Sequence, residues 1–169
     1  VSKAEVRAWP LIGWFAEKGD TVFLRRGSRG HARTVNGEIN ARLAAGIDVA
    51  VFPEGTTTDG THLLHFHAAL IQSAIESERP IQPVALSYHD THGARSLAPA
   101  YAGETSFTDC LRAVLACRAL RVQLVALAPL PAHSMPRREL ATTARNAIAI
   151  SLGFPPEHTV PGTPPGPPA

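Results

Sequence analysis

The chain has 169 residues, 44% of them hydrophobic and 18% charged, with a net charge of +2. That size suits one globular domain with a real core, and the composition is ordinary for one. Two cysteines give no disulfide framework, which favours a reducing compartment, and no apolar run reaches the roughly 18 residues that a transmembrane helix needs.

The charge is unevenly spread. Val1–Arg42 carries eight Lys/Arg against four Asp/Glu, net +4, and the remainder carries eight against ten, net −2. A basic end of this kind suits a phosphate group or an acidic membrane surface, and a solvated surface explains it equally well.

Taken in order, Ser2–Gly19 reads as two short helices around Trp9-Pro10, since proline disfavours helix at the residue before it and suits a first turn. The apolar run Trp9–Phe15, flanked by Lys3, Arg7 and Lys18, fits either a membrane interface or a helix packed under a sheet. Thr21–Leu24 is a short strand. His31–Ala45 is helical, with a stripe at Val35, Ile39 and Leu43 and Gly46 as its cap. Ile47–Phe52 is apolar and β-branched apart from Asp48, the pattern of a central strand buried on both faces.

A helix is expected over Phe66–Ser77, burying Phe66, Leu70, Ile71 and Ala74, and a strand over Ile81–Tyr88. The alternation of strands and helices implies parallel βαβ units. Asp90–Gly103 is irregular. Ser106 and Asp109 form a capping box for a helix to about Arg118. Cys110 and Cys117 share one face of it, too far apart for a disulfide. Arg121–Leu127 alternates as a strand with Val122, Leu124 and Ala126 on one face. Ser134 and Pro136 open a last helix, Arg137–Leu152, which Gly153 closes. One domain is expected over 1–154, followed by a Pro-rich tail, 155–169, with seven prolines in fifteen residues.

The chain is organised around Val49–Gly60. Pro53 ends the apolar run because it has no N–H to give a ladder, and a carboxylate, a glycine, three threonines and an Asp-Gly turn follow. A loop at the carboxyl end of a buried strand is where open α/β sheets bind ligands.

Phe52-Pro53-Glu54-Gly55-Thr56 resembles a signature of the glycerolipid acyltransferases, the family of the lysophosphatidate acyltransferases. Three further blocks stand in that family's order: Lys3–Gly13, Gly19–Arg26 and Ile81–Ala85. The resemblance is strong over Lys3–Ala85 and fades beyond about Tyr88. It implies an α/β fold, a mixed, mostly parallel sheet flanked by helices. The implied activity moves a fatty acyl group from acyl-CoA or acyl carrier protein to a lysolipid hydroxyl at a membrane surface, on its cytoplasmic face, peripherally or through an anchor. No metal or bound cofactor is implied.

Such chemistry needs a base for the hydroxyl proton, cations for the acceptor's anionic head and donors for the oxyanion. The resemblance places the base on a His-x-x-x-x-Asp motif ahead of the lead-in block. None of the eight histidines here has an aspartate five positions on, so that motif is expected upstream of Val1, the chain reads as truncated, and alone it is expected to be inactive. Acceptor binding falls by resemblance on Arg26, Glu54, Gly55 and Thr56. A guanidinium at Arg26 suits bidentate bonds to phosphate or carboxylate oxygens. Glu54 fits orientation of Arg26, contact with an acceptor hydroxyl, or closure of its own loop through backbone amides, and Gly55 admits close backbone approach.

Two departures bear on the acceptor. Arg25 stands where relatives often carry an acid, and Thr57 where many carry arginine. The Thr-Thr-Asp-Gly variant resembles the branch that acylates lyso-ornithine lipids. Rival readings are a catalytically silent lipid- or partner-binding domain, and a metal-dependent hydrolase built on His62, His65, His67, His89, Asp90 and His92, though no HExxH or comparable spacing is present. Neither RNP blocks nor a helix-turn-helix pattern supports a nucleic-acid partner.

Overall fold

The computed structural model describes residues 2–3, 13–14, 18–19, 21, 23–24, 29–133 and 135–157. Strands β1 (Ser2–Lys3) and β2 (Phe23–Leu24) form a short parallel pair. Helix α1 (Arg29–Ala44) follows, then a 3-10 turn (Ala68–Leu70) running into helix α2 (Gln72–Glu76). Strand β3 (Val84–His89), helix α3 (Phe107–Ala116), strand β4 (Arg121–Ala126) and helix α4 (Arg137–Ser151) complete the order. The class is α/β. The helical reading of Ser2–Gly19 is corrected at its start, where Ser2–Lys3 pairs with Phe23–Leu24 as a strand instead; of the remainder, Gly13, Trp14 and Lys18 are helical, with Gly13 buried and Trp14 exposed.

The core lies between α4, the 3-10 turn and the segment before β3. Phe66, Ile71, Ala132, Leu140 and Ala141 are buried together, with Ile81, Leu130 and Met135 packed around them. Leu140, fully buried, contributes roughly 1.5–3 kcal/mol by leaving water. A smaller cluster joins Val35 and Ile39 of α1 to Leu43 and Val49. Polar contacts lock α1 to α2: Asn40 Nδ2 donates to Glu76 Oε2 at 2.7 Å and Arg79 donates to Leu43 O at 3.3 Å. Asn40 and then Gln72, both donating to it, hold the Glu76 carboxyl below its ordinary pKa.

The strand expected at Ile47–Phe52 is corrected. The segment joins no ladder among the described residues, and Ile47 and Phe52 are 49% and 67% exposed. An apolar β-branched run states what a strand would bury, and a ladder also needs a neighbour at about 4.8 Å. Here Val49 packs on the α1 cluster instead.

The helix expected from Phe66 is shorter than its pattern. His67 N–H donates to Pro53 O at 2.8 Å, which holds His67 extended against the preceding loop, so helical turns begin at Ala68. Phe66 and Ile71 are buried as expected, Leu70 and Ala74 partly so.

β3 and β4 pair antiparallel from Val84↔Ala126 to His89↔Arg121. Residues directly opposite share a face, so Val122, Leu124 and Ala126 lie with Val84, Leu86 and Tyr88. This is the outer face, with Leu124 68% exposed, whereas Ala85 on the other face is buried. Ser106 caps α3 as expected: Asp109 N–H donates to its hydroxyl oxygen at 3.2 Å, and the hydroxyl donates back to the Asp109 carboxylate at 2.5 Å. Cys110 and Cys117 are free thiols. Among the described residues no helix is long and apolar enough to cross a membrane.

Candidate functional site

The motif loop is built from local rules first. Gly55 N–H donates to Phe52 O at 3.1 Å, closing a four-residue turn with Pro53 second and Gly55 last. Proline presets φ at the second position of such a turn and glycine suits the fourth. Gly55 has φ +69°, and a Cβ there would lie 3.0 Å from His67 Cδ2 and 3.2 Å from His67 Nε2. The His67 ring is brought over the glycine by its own N–H bond to Pro53.

Both conditions make glycine the fitting residue. A left-handed conformation costs a non-glycine residue roughly 1–2 kcal/mol. Gly55→Ala is therefore expected to lower the unfolding free energy by about 1–2 kcal/mol in chemical denaturation. Asn, which tolerates this conformation better, should cost less than Ala. Equal losses for the two would assign the effect to the His67 contact.

Glu54 closes the other end of the loop. One carboxylate oxygen, Oε2, accepts the Leu64 N–H at 2.9 Å, so of the roles weighed for Glu54 the structure displays the loop-closing one. Thr56 is exposed at the loop surface. Arg26, with Arg25 and Gly27, lies outside the described residues. The structure thus brings Glu54 and Gly55 together with His67 and Leu64, and leaves the arginine of the expected set undescribed.

The Thr-Thr-Asp-Gly segment that follows holds itself in place. Gly60 N–H donates to Thr58 Oγ1 at 3.1 Å, and Thr58 Oγ1 donates to His62 O at 3.1 Å. Thr61 donates to Asp59 Oδ1 through its hydroxyl at 2.6 Å and its N–H at 2.9 Å. Those bonds, the hydroxyl's foremost, hold the Asp59 carboxyl below its ordinary pKa. The Asp90 turn is made the same way, with His92 N–H the largest cause of its lowered pKa. Each aspartate thus contributes stability that is fully present above the ordinary carboxylate pKa and is lost as pH falls through its own lowered one.

Two arginines beyond the motif anchor this loop, Arg145 from the middle of α4 and Arg95 to its C-terminal end. Arg145 Nη2 donates to Leu63 O at 2.8 Å and Nε to Leu64 O at 3.2 Å. Its side chain is 11% exposed, and Nε lies 3.5 Å from Glu157 Oε2. Asn146 holds the Glu157 backbone in place, donating to its carbonyl at 2.9 Å and accepting its N–H at 2.7 Å. Arg95 donates to Gly60 O at 3.3 Å and Leu152 O at 2.9 Å, with its guanidinium 4.5 Å over the Phe154 ring.

Neither arginine stood out as a site residue in the sequence. A signal exists for Arg145: it falls among Ala141, Ala144 and Ala149, on the stripe that α4 buries. A cation on a buried stripe requires partners. The histidines do not converge. His62 faces Asp59, with Nδ1 3.5 Å from Oδ1, and His65 faces Glu157 at 3.4 Å. His89 approaches Ser87 and the Gly93 carbonyl. Among the described residues no three His, Cys, Asp or Glu side chains are grouped to hold a metal ion.

Comparison with known proteins identifies the family. The acyltransferase family profile matches residues 1–87, about half of the chain. A lyso-ornithine lipid O-acyltransferase of Pseudomonas aeruginosa is 41% identical over 152 residues, covering 90% of this chain and 58% of its own length. Another lyso-ornithine lipid O-acyltransferase, of Brucella abortus, is 34% identical and also covers 90% of this chain. A 1-acyl-sn-glycerol-3-phosphate acyltransferase of Neisseria gonorrhoeae is 35% identical over 124 residues, 73% of this chain and 48% of its own length. The chain thus spans about half to three fifths of the length of these relatives. No solved structure matches it. The profile ends close to where the four motif blocks end, the longer matches run on through the later elements, and on both counts the chain belongs to the acyltransferase family.

Proposed function

We propose that the protein to which this chain belongs transfers a fatty acyl group from acyl-CoA or acyl carrier protein to the hydroxyl of a lyso-ornithine lipid, at the cytoplasmic face of a membrane. The observation that carries the acceptor is the extent of similarity. Relatives named for lyso-ornithine lipid match 90% of the chain, past the motif blocks and into α4. The Thr-Thr-Asp-Gly continuation of the motif supports the same branch.

Within this reading the parallel β1–β2 pair belongs to the family's mixed, mostly parallel sheet, and the antiparallel β3–β4 pair is the other part of the mixture. A His-x-x-x-x-Asp segment ahead of Val1 supplies the base, Arg26 binds the acceptor's anionic group, and the Glu54–Thr56 loop borders the acceptor hydroxyl. Arg26 supplies charge and a two-pronged donor. The turn at Gly55, closed under the His67 ring, fixes the bend that presents the Glu54–Thr56 loop.

Lysophosphatidate is the second acceptor, favoured by the 35% identical Neisseria relative. The test is acyl transfer from a long-chain acyl thioester, by the chain joined to its upstream segment, to each lysolipid in detergent micelles. Preference for lyso-ornithine lipid by about tenfold or more in kcat/KM, roughly 1.4 kcal/mol of discrimination, is expected. The reverse preference would move the assignment to the glycerophosphate branch, and transfer to neither would overturn it.

A further inference from the structure

We infer that Arg145 is a positioning residue that sets the Glu54 carboxylate through the Leu63-Leu64 backbone. The two side chains grip the same short segment from opposite sides. Glu54 Oε2 accepts the Leu64 N–H at 2.9 Å, while Arg145 takes the Leu63 and Leu64 carbonyls at 2.8 and 3.2 Å. One residue, Leu64, therefore carries both bonds, its N–H toward the motif and its C=O toward α4. The Leu63 carbonyl held by Arg145 shares one planar peptide with the Leu64 N–H, so moving that carbonyl turns the N–H away from Glu54.

The anchor is built to be stiff. Arg145 lies on the buried stripe of α4, and its guanidinium is nearly enclosed, in contact with the Leu63, Leu64 and Pro155 carbonyls, with Asn146 Oδ1 and, at 3.5 Å, with the buried Glu157 Oε2. A planar guanidinium with several donors spans these acceptors together, which an ammonium on a flexible stem cannot do. Glu157 is itself fixed by two bonds to Asn146. The second half of α4 and the segment behind it thus become part of the frame of the motif loop, although they lie more than eighty residues further along the chain.

The catalytic consequence rests on the proposed acyl transfer, so the experiment reads the contact and the reaction separately. Arg145→Lys, Glu54→Gln and the double variant are compared in the chain joined to its upstream segment. Hydrogen exchange at the Leu64 amide, measured without lipid, is expected to quicken about tenfold in both single variants, the loss of one charge-assisted bond. In transfer to lyso-ornithine lipid, Arg145→Lys should lower acceptor kcat/KM about tenfold with the donor KM within about twofold. The double variant should be no worse than Glu54→Gln, because residues acting through one link are not additive.

Unchanged Leu64 exchange in Arg145→Lys overturns the inference, as do losses that multiply in the double variant. Should Arg145→Lys not fold, Glu157→Gln takes its place: it loosens the guanidinium from one side, and faster Leu64 exchange supports the link where unchanged exchange overturns it. A protein that transfers no acyl group to either lysolipid refutes the proposed function, and the exchange at Leu64 still decides the contact.

Discussion

Acyl transfer by the 169-residue chain alone is expected to run about 10²–10⁴ below that of the same chain carrying a His-x-x-x-x-Asp segment ahead of Val1, the usual worth of a general base. The reason is chemical. A lysolipid hydroxyl attacks a thioester only as its proton leaves, and no histidine in these residues has an aspartate five positions on to orient it. The histidines that flank the motif loop are engaged otherwise, His62 beside Asp59 and His65 beside Glu157.

Lipid binding should survive better than catalysis. Burying an acyl chain contributes about 0.8 kcal/mol per methylene, so part of a pocket retains part of the affinity. The outer face of β3–β4, with Val122 and Leu124 exposed, should also make the chain prone to associate. The measurement is turnover of a long-chain acyl thioester with each lysolipid by both forms, beside binding of a fluorescent fatty acyl probe. Equal turnover by the two forms would place the base within this chain, with His31, His62 and His89 the candidates to replace.

Arg26→Ala is expected to cost about ten- to a hundredfold in acceptor kcat/KM, the equivalent of roughly 1.5–3 kcal/mol for a charge-assisted, two-pronged contact. The donor KM should stay within about twofold, because the residue is proposed to hold the acceptor's anionic group and to leave the thioester alone. Lys at this position should recover only part of the loss, restoring charge without the planar fork. Loss of turnover with unchanged acceptor KM, or no loss at all, would remove Arg26 from the acceptor site. Arg25 supplies the contrast. Its replacement by Ala should act mainly through general charge and fade as salt rises, since exposed charges are screened over about 10 Å at 0.1 M.

The family and the turn of the motif loop were legible in the residues because they rest on local chemistry. The turn Phe52–Gly55 follows from a proline that presets φ and a glycine that takes φ +69°. The caps of α3 and the span of α4 follow from Ser106, Asp109 and Pro136 in the same way. Phe66 and Ile71 are buried as their apolar character suggested, although Phe66 lies in the stretch before the helix and not on its face.

What only the tertiary structure decided are the partners. Whether Ile47–Phe52 enters a ladder depends on a neighbouring strand, and the apolar pattern is the same with or without one. The face of β4 that Val122 and Leu124 share was correctly grouped, but alternation cannot say which face the protein covers. Glu54 shows the same limit at the centre of the site. Its motif marks it for function, yet its bond runs to the backbone N–H of Leu64, and a backbone group is identical in every residue and leaves no mark on the sequence. Arg145 and Arg95 likewise bind carbonyls, at separations of 82 and 57 residues. Local preference determines how the motif loop turns, and only folding brings the end of α4 against it.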